Sequence, residues 1–297
     1  MFRVPFASFL FVVVIHSYGQ TVNATNSAGG NREIKTGFCT ISGGSLYYEE
    51  CGQGTPLILI HGGALDSRMW DQQFLEFSNT FRVIRYDARN HGKSKSEIVP
   101  YSHADDLAGL MDSLRIDQAV ILGLSMGGYI AIDFALKYPE KVKALIPVAP
   151  GLTGYEFKDP QILEYNAKLK TAQTYEEAVE YILRQWCDGP VRTPAQVDST
   201  VRNRVQKMYL DFFQNFQRGL KENRSDPPAI NRLAEIKKPV FAIVGDLDQP
   251  GILEIARMIE EQVPGAKKIV IKGVAHMVNL EKPDDFNATV IRFLQGY

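Results

Sequence analysis

The chain has 297 residues, of which 45% are hydrophobic and 23% are charged, and 33 Lys and Arg residues oppose 34 Asp and Glu residues. This is ordinary globular composition, so it excludes a disordered chain, a fibre and a polytopic membrane protein. The net charge of -1 lacks the basic excess of nucleic-acid-binding proteins, so no nucleic-acid partner is expected. Three cysteines are too few for a disulfide-stapled scaffold. The sequence therefore predicts a folded core whose chemistry depends on particular residues.

Residues 1–24 have the pattern of a secretory signal peptide. A basic residue precedes an apolar run over residues 4–15, and small residues follow it, so cleavage is expected before Gln20 or after Ala24. A membrane anchor is the alternative, but a span needs about 20 apolar residues. We therefore expect a secreted or periplasmic protein with no stable membrane span after cleavage. The polar segment that follows predicts a disordered leader, assigned to residues 25–36.

Two of the cysteines lie on a predicted hairpin, where export would permit a disulfide bond. The hairpin turns at Gly43-Gly44 and carries Cys39 and Cys51. A two-residue turn would place Cys39 opposite Tyr48, three residues short of Cys51. A Cys39–Cys51 bridge would therefore need a bulge or another register, and we prefer buried free thiols.

Strands and helices alternate from residue 55 onward, with one interruption. Short apolar runs predict strands buried on both faces, and segments with helical spacing separate them. The predicted strands cover residues 56–60, 81–86, 119–123, 142–148, 239–244 and 268–271, and the predicted helices cover 101–117, 126–138, 251–262 and 283–295. Residues 152–232 show helical periodicity and no convincing strand. We interpret them as a helical cap between two parts of one core domain, 37–151 and 233–297, with a parallel sheet covered by helices on both faces.

A sharp turn presents a candidate nucleophile. Gly123-Leu124-Ser125-Met126-Gly127 matches G-x-S-x-G directly after a predicted strand and before a predicted helix, which is the context that the motif requires. The residues two positions to either side of the serine must be small for such a turn to close. The Ser125 hydroxyl would then lie at the carboxyl edge of the sheet, where α/β proteins bind ligands. The N–H groups of the following helix would favour an anionic intermediate there.

With these motifs the chain resembles the α/β-hydrolase fold serine hydrolases over residues 37–297. His61-Gly62-Gly63-Ala64 stands where that family has its oxyanion loop, and residues 87–94 (DARNHGKS) look like its D-x-R-x-x-G-x-S loop. The resemblance implies a mostly parallel eight-stranded sheet and a triad in the chain order Ser, acid, His. The HGG…MW and GLSMGG segments are most similar to those of small bacterial esterases and lactonases such as 3-oxoadipate enol-lactonase.

His276 is the predicted catalytic base among the five histidines. His16 would leave with the signal peptide, and His61 is expected to hold the oxyanion loop by hydrogen bonding. His91 and His103 are expected to be surface or loop-ordering residues. His276 follows the last predicted strand and matches the position of the family's catalytic histidine, so it would take the Ser125 proton.

Asp248 is the preferred acid of the triad. Both Asp246 and Asp248 follow the predicted strand 239–244. Asp248 matches the second acidic position of the family's turn, whereas Asp246 is expected to organise the loop through backbone hydrogen bonds. The chain order Ser125, Asp248, His276 agrees with the order expected for this fold.

The remaining site residues would bind the substrate. The backbone N–H groups of Gly63 and Met126 are the predicted oxyanion hole, with Ala64 as a substitute for Gly63. Trp70 and Trp186 are candidates for an apolar substrate pocket, although such aromatic residues more often pack a cap on a core. Other candidates are three phenylalanines for the same pocket and three basic residues that could attract an anionic substrate or face solvent: Phe212, Phe213, Phe216, Arg202, Arg204 and Lys207.

The leading hypothesis is a serine hydrolase without cofactor that cleaves a small carboxylic ester or lactone through an acyl-enzyme. The histidines and cysteines lack the spacing of metal ligands, and no G-x-G-x-x-G follows a strand, so we predict neither a metal nor a dinucleotide. Carbon–carbon bond hydrolysis and perhydrolysis are neighbouring reactions of the same triad. A small-molecule receptor with slow or no turnover is the alternative from another class, because fold does not settle function.

Overall fold

A computed structural model describes residues 20–25 and 31–296 of the chain. Its strands are β1 Gln20–Thr25, β2 Asn31–Ile41, β3 Gly44–Cys51, β4 Pro56–Ile60, β5 Arg82–Tyr86, β6 Lys95–Ser96, β7 Pro100–Tyr101, β8 Ala119–Leu124, β9 Val142–Val148, β10 Lys221–Glu222, β11 Phe241–Gly245 and β12 Lys267–Ile271. Its α-helices are α1 Asp71–Phe77, α2 His103–Ser113, α3 Met126–Lys137, α4 Pro160–Leu169, α5 Tyr175–Ile182, α6 Ser199–Asn215, α7 Pro250–Gln262, α8 Val278–Glu281 and α9 Pro283–Leu294. None of these helices is long and apolar enough to cross a membrane.

One sheet organises the core, in the order β1-β2-β3-β5-β4-β8-β9-β11-β12, with β6 paired to β3. The strands from β5 to β12 along this order are parallel, and those from β1 to β5 are antiparallel. The predicted mostly parallel eight-stranded sheet is therefore confirmed, and β1 and the two-residue β6 extend it. The carboxyl ends of β4, β8, β11 and β12 meet at one edge, which is where the candidate residues lie.

Alternate residues of each central strand face two separate cores. In β4, Ile58 and Ile60 pack on one face of the sheet, and Leu57 and Leu59 pack on the other. Helices α2, α3 and α7 cover the first face, and α1 and α9 cover the second. This is the two-sided burial that continuous apolar strands predict.

The disordered leader predicted at residues 25–36 is wrong for the part of it that the structure describes. Residues 31–36 begin β2, and β1 pairs with them antiparallel, from Gln20 opposite Thr36 to Thr25 opposite Asn31. Backbone hydrogen bonds to a sheet edge order a polar segment that has no apolar pattern of its own. The cleavage position after Ala24 would fall within β1. Residues 1–19 and 26–30 lie outside the described part, so the signal peptide and the secreted location stay predictions.

The predicted hairpin is β2–β3, but its register differs from the expected one by two residues. The turn falls at residues 42–43, so Cys39 pairs with Leu46 rather than Tyr48. Cys39 packs in the core on one face of the sheet, and Cys51 packs in the core on the other. Both thiols are free and buried, so no Cys39–Cys51 disulfide forms.

The segment between β9 and β11 forms the cap. It consists mainly of α4, α5 and α6, with a π-helical turn at Leu183–Asp188 directly after α5. The expectation of no strand in residues 152–232 is wrong at β10, which pairs parallel with β7. Two residues are too few to produce a strand pattern in the sequence. This short pairing ties the end of the cap to the loop that follows β5.

Candidate active site

Ser125 lies on the tight turn between β8 and α3 with φ 56° and ψ −109°, a conformation that is strained for a residue with a side chain. A Cβ atom on Gly123 would lie 2.1 Å from the carbonyl oxygen of Gly127, and one on Gly127 would lie 2.3 Å from that of Ile60. The close approach of these backbones explains why both flanking positions are glycine. The turn places Ser125 directly before α3, as the N-cap residue of that helix.

His276 and Asp248 form a buried hydrogen-bonded pair. His276 follows β12, Asp248 follows β11, and the imidazole Nδ1 lies 2.9 Å from Oδ2 and 3.1 Å from Oδ1 of the carboxylate. Their side chains are only 3% and 1% exposed, and Asp248 Oδ1 also accepts the N–H of Gln249 at 2.7 Å. A carboxylate on Nδ1 fixes the ring's orientation and leaves Nε2 as the basic nitrogen.

The structure separates the roles of the two competing aspartates. Asp246 Oδ1 accepts the N–H of Gly273 at 2.6 Å, and its other oxygen lies 3.5 Å from the ammonium of Lys272. Asp246 therefore links the loops after β11 and β12, while Asp248 contacts the imidazole. Sequence reasoning placed both residues at this edge, and the side-chain geometry distinguishes them.

One cavity of about 490 Å³ contains both Ser125 and His276 in its wall. Within the described chain, no hydrogen bond of ordinary length joins the two side chains. Catalytic hydrogen bonds of this kind are often long without substrate and tighten in the substrate complex. The cavity therefore brings a hydroxyl and a carboxylate-oriented imidazole to the same enclosed volume.

Two backbone N–H groups are available at the predicted oxyanion hole. A Cβ on Gly63 would lie 3.7 Å from Cβ of Met126, so the loop after β4 lies against the start of α3. In residues 31–296, the N–H groups of Gly63 and Met126 have no hydrogen-bond acceptor. The N–H of Ala64 donates to Nε2 of His91 at 3.2 Å, so Ala64 is not free to substitute for Gly63.

Two buried histidines hold the oxyanion loop in place. His61 Nε2 accepts the N–H of Ala88 at 2.9 Å, so its Nδ1–H donates to the carbonyl of Gly62. His91 accepts the Ala64 N–H and donates from Nδ1 to the carbonyl of Arg89 at 2.8 Å. Burial lowers the pKa of His61, and burial together with the neighbouring His61 lowers the pKa of His91 to about 3. Both rings are therefore neutral and can accept these hydrogen bonds at physiological pH.

Three of the sequence expectations for histidine and tryptophan side chains need correction or refinement. His91 and His103 are buried, so the surface alternative is wrong for both. The prediction of Trp70 as a substrate-binding residue is wrong, because Trp70 does not line the cavity. Its side chain is fully buried in the core on the face of the sheet that α1 and α9 cover, and its ring centre lies 6.1 Å from that of Phe286 on α9. Trp70 ends a short 3₁₀ turn that directs its ring towards α9. The residues around Trp70 in the sequence do not show this direction.

Trp186 does lie in the cavity wall, on the π-helical turn of the cap. Its ring centre is 4.7 Å from that of His276, and its ring meets Phe157 edge-on at 5.9 Å. π-helical turns often occur at functional sites. The other aromatic candidates, Phe212, Phe213 and Phe216, do not line this cavity.

Tyr129 and Arg224 are among the polar residues of the cavity wall that the sequence patterns did not identify. Tyr129 lies one helical turn after Ser125 on α3, so its spacing from the nucleophile could have identified it. Arg224 lies in the chain after β10 and has no motif that marks it. The three basic residues considered instead do not line the cavity and bind acidic partners: Arg202 with Asp188 and Glu180, Arg204 with Asp71, and Lys207 with Asp211.

Comparison with known sequences identifies the family. The sequence model of the alpha/beta hydrolase fold matches residues 55–283. The chain belongs to this family. It is therefore a hydrolase by family, as the Ser125 turn and the sheet topology indicate.

Individual proteins that are similar to this chain are named for different reactions. It is 28% identical over 294 residues to a 2-hydroxy-6-oxononadienedioate/2-hydroxy-6-oxononatrienedioate hydrolase of Burkholderia vietnamiensis, covering 95% of this chain and 98% of that protein. It is 28% identical to carboxylesterase YbfK of Bacillus subtilis, covering 81% of this chain and 80% of the other. The enol-lactonase of Burkholderia xenovorans LB400 has a similar fold, with a TM-score of 0.69 at 24% identity over 87% of this chain and 99% of its own.

Proposed function

We propose that this protein is a serine hydrolase that cleaves a small carboxylic ester or lactone through an acyl-enzyme. The observation that carries the proposal is the convergence of Ser125, the buried His276–Asp248 pair and two unpaired N–H groups on one cavity. A nucleophile, a base oriented by a carboxylate and an oxyanion site are the parts that acyl transfer needs.

In the proposed reaction each residue has one step. Nε2 of His276 removes the proton from Ser125 as its hydroxyl attacks the carbonyl carbon, and Asp248 stabilises the resulting imidazolium. The oxyanion accepts hydrogen bonds from Gly63 and Met126, and removal of one such donor typically costs about 3 kcal/mol in the barrier. His276 then protonates the departing alkoxide, which leaves an ester of Ser125. A water molecule, deprotonated by His276, releases the acid and restores the hydroxyl.

Carbon–carbon bond hydrolysis is the second candidate, because the relative of Burkholderia vietnamiensis is named for a dienedioate and the similarity covers 95% of this chain. The same triad would attack a ketone carbonyl. The leaving group would then be a carbanion, which needs a proton on carbon rather than on oxygen. An ester or lactone makes no such demand, since the imidazolium of His276 already supplies the proton that an alkoxide needs.

A covalent probe and a substrate panel test the proposal. We expect a fluorophosphonate to label Ser125, and p-nitrophenyl esters of short acids to be hydrolysed by the wild type. Ser125→Ala should lose labelling and lower kcat at least about 10³-fold. Ser199→Ala, which changes an exposed serine at the start of α6, is the matched control and should retain both.

Three outcomes would contradict the proposal. Labelling at another residue would overturn the site. Faster turnover of a 2-hydroxy-6-oxodienedioate than of any ester would favour the carbon–carbon hydrolase. Tight binding of small esters without turnover would favour the receptor.

A further inference from the structure

Among the described residues, the wall of the catalytic cavity contains one Lys or Arg side chain and no Asp or Glu. That side chain is Arg224, and it reaches the wall from the segment after β10. Arg224 is therefore the cation of this wall that can pair with an anionic group of a ligand.

Two neighbours hold the guanidinium in place. Its Nε donates to Oε2 of Glu222 at 2.8 Å, and its central carbon lies 4.9 Å from the centre of the Tyr129 ring. The hydroxyl of Tyr129 donates to the other oxygen of Glu222 at 3.0 Å. One carboxylate therefore binds both Arg224 and Tyr129 and links these two side chains of the cavity wall.

The acidic partner of the arginine is not part of the catalytic cavity wall. Glu222 lines a neighbouring polar cavity of about 600 Å³ and does not line the catalytic one, whereas Arg224 and Tyr129 line both. Glu222 therefore contacts the guanidinium from the neighbouring cavity, and the Arg224 side chain is 55% exposed. The charge that faces the catalytic cavity is that of Arg224.

The outer edge of the guanidinium remains available to a ligand. Arginine has five N–H donors, and only Nε is used; neither Nη atom donates to any part of the chain that the structure describes. The Nη1–Nη2 edge matches the two oxygens of a carboxylate in a planar, bidentate arrangement. Apolar residues of the same wall, Leu152, Leu169 and Ile182 among them, would contact a short hydrocarbon chain.

The geometry points to a substrate class: an ester or lactone that carries a carboxylate at a distance from the scissile bond, which Arg224 binds. This inference rests on the proposed hydrolase function of the same cavity. Arg224 determines specificity and takes no part in proton transfer, so its effect must depend on the charge of the substrate.

Paired substrates test this dependence. The first pair is 4-nitrophenyl hydrogen glutarate and its methyl ester, which differ in one negative charge on the acyl side. The second pair is the acetate of 4-hydroxybenzoic acid and that of its methyl ester, which places the charge on the leaving group. For each pair we measure the kcat/KM ratio of the acid to the neutral ester.

In Arg224→Gln we expect this ratio to fall about 10- to 100-fold for one of the two pairs, because hydrogen bonds to a charged group are lost. Arg224→Lys keeps the charge without the planar fork, so the ratio should fall less. Arg232→Gln is the matched control, since Arg232 lines only the neighbouring cavity and binds Glu235. It should leave the ratio unchanged. An unaltered ratio for both pairs in Arg224→Gln, or an equal loss for acid and neutral esters, would overturn the inference.

Binding to a protein without the nucleophile separates this inference from the proposed function. Calorimetric titration of Ser125→Ala with monomethyl glutarate and with dimethyl glutarate should show preference for the monoester, reduced about tenfold when Arg224→Gln is added. Equal affinity in the presence and absence of Arg224 would overturn the inference alone. Carboxylate-dependent binding without wild-type turnover of any ester would overturn the hydrolase function alone.

Discussion

The carboxyl edge of the sheet and the cap enclose the same cavity but are built differently. At the edge, backbones approach so closely that Gly123 and Gly127 have no room for a Cβ, and buried histidines bond to the oxyanion loop. The cap contributes side chains, such as that of Trp186, from helices joined to the core by few strand bonds. The difference indicates that the sheet edge determines the reaction and that the cap determines which substrates enter the cavity. Variants in the two regions should therefore fail in different ways.

The sharpest test of the edge compares its two aspartates. Asp248→Ala should lower kcat about 10³- to 10⁴-fold, because the imidazole loses the carboxylate that orients it and stabilises its charged form. Asp246→Ala is the matched control: it removes a hydrogen bond to Gly273 and should change kcat by less than about tenfold. Steady-state kinetics on one p-nitrophenyl ester measures both. Near-normal activity in Asp248→Ala together with a large loss in Asp246→Ala would reverse the assignment.

The two tryptophans compare the regions directly. Trp70→Ala removes a fully buried ring from the core and should lower the free energy of unfolding by about 3–5 kcal/mol. Trp186→Ala changes the cavity wall beside His276, so it should alter kcat/KM differently for short and long acyl chains. Urea unfolding and a chain-length series measure the two effects. A chain-length effect in Trp70→Ala that matched that of Trp186→Ala would remove the distinction between them.

Glycine variants test how tightly the edge is packed. In Gly127→Ala the new Cβ would meet the carbonyl of Ile60 at 2.3 Å, so backbone must shift, and we expect a loss of about 3 kcal/mol in the free energy of unfolding. Gly109→Ala on α2 is the control. Its Cβ would meet only Ile41, at 3.4 Å, and helix propensity favours alanine, so stability should change by less than about 1 kcal/mol. Equal unfolding midpoints in urea for the two variants would show that the turn relaxes easily.

The sequence predicted the edge far better than the cap, and the reason is physical. Ser125, Asp248 and His276 each follow a strand of a parallel sheet, whose carboxyl ends meet at one edge, so local patterns determine where these residues lie. The direction of Trp70 depends on how a 3₁₀ turn packs against α9, which lies more than 200 residues later in the chain. Arg224 reaches the cavity because β10 pairs with β7, and a two-residue strand leaves no pattern. The strand at residues 31–36 was not predicted for a similar reason, because these residues are ordered by pairing with β1 and not by an apolar pattern of their own.

The smallest expected effect concerns acid stability, and it too distinguishes the regions, because the cap contains no histidine. Burial lowers the pKa of His91 to about 3, whereas an unfolded histidine titrates near about 6.5. Between these values the unfolded chain binds a proton that the folded chain does not, so acidification through this window destabilises the fold by up to about 1.4 kcal/mol per pH unit.

His91→Gln should reduce this dependence, because glutamine is uncharged at every pH and can still accept the N–H of Ala64. Urea unfolding at several values from pH 4 to pH 6.5 gives the slope of the unfolding free energy. We expect a slope smaller by about 1 kcal/mol per pH unit in the variant, with the remainder coming from other titrating groups, among them His61 and His103, whose pKa values burial also lowers. An unchanged slope would mean that His91 is protonated in the folded protein over this range. The oxyanion loop would then lose its hydrogen bond to Ala64 in acid, and activity would fall at a pH where the cap is unaffected.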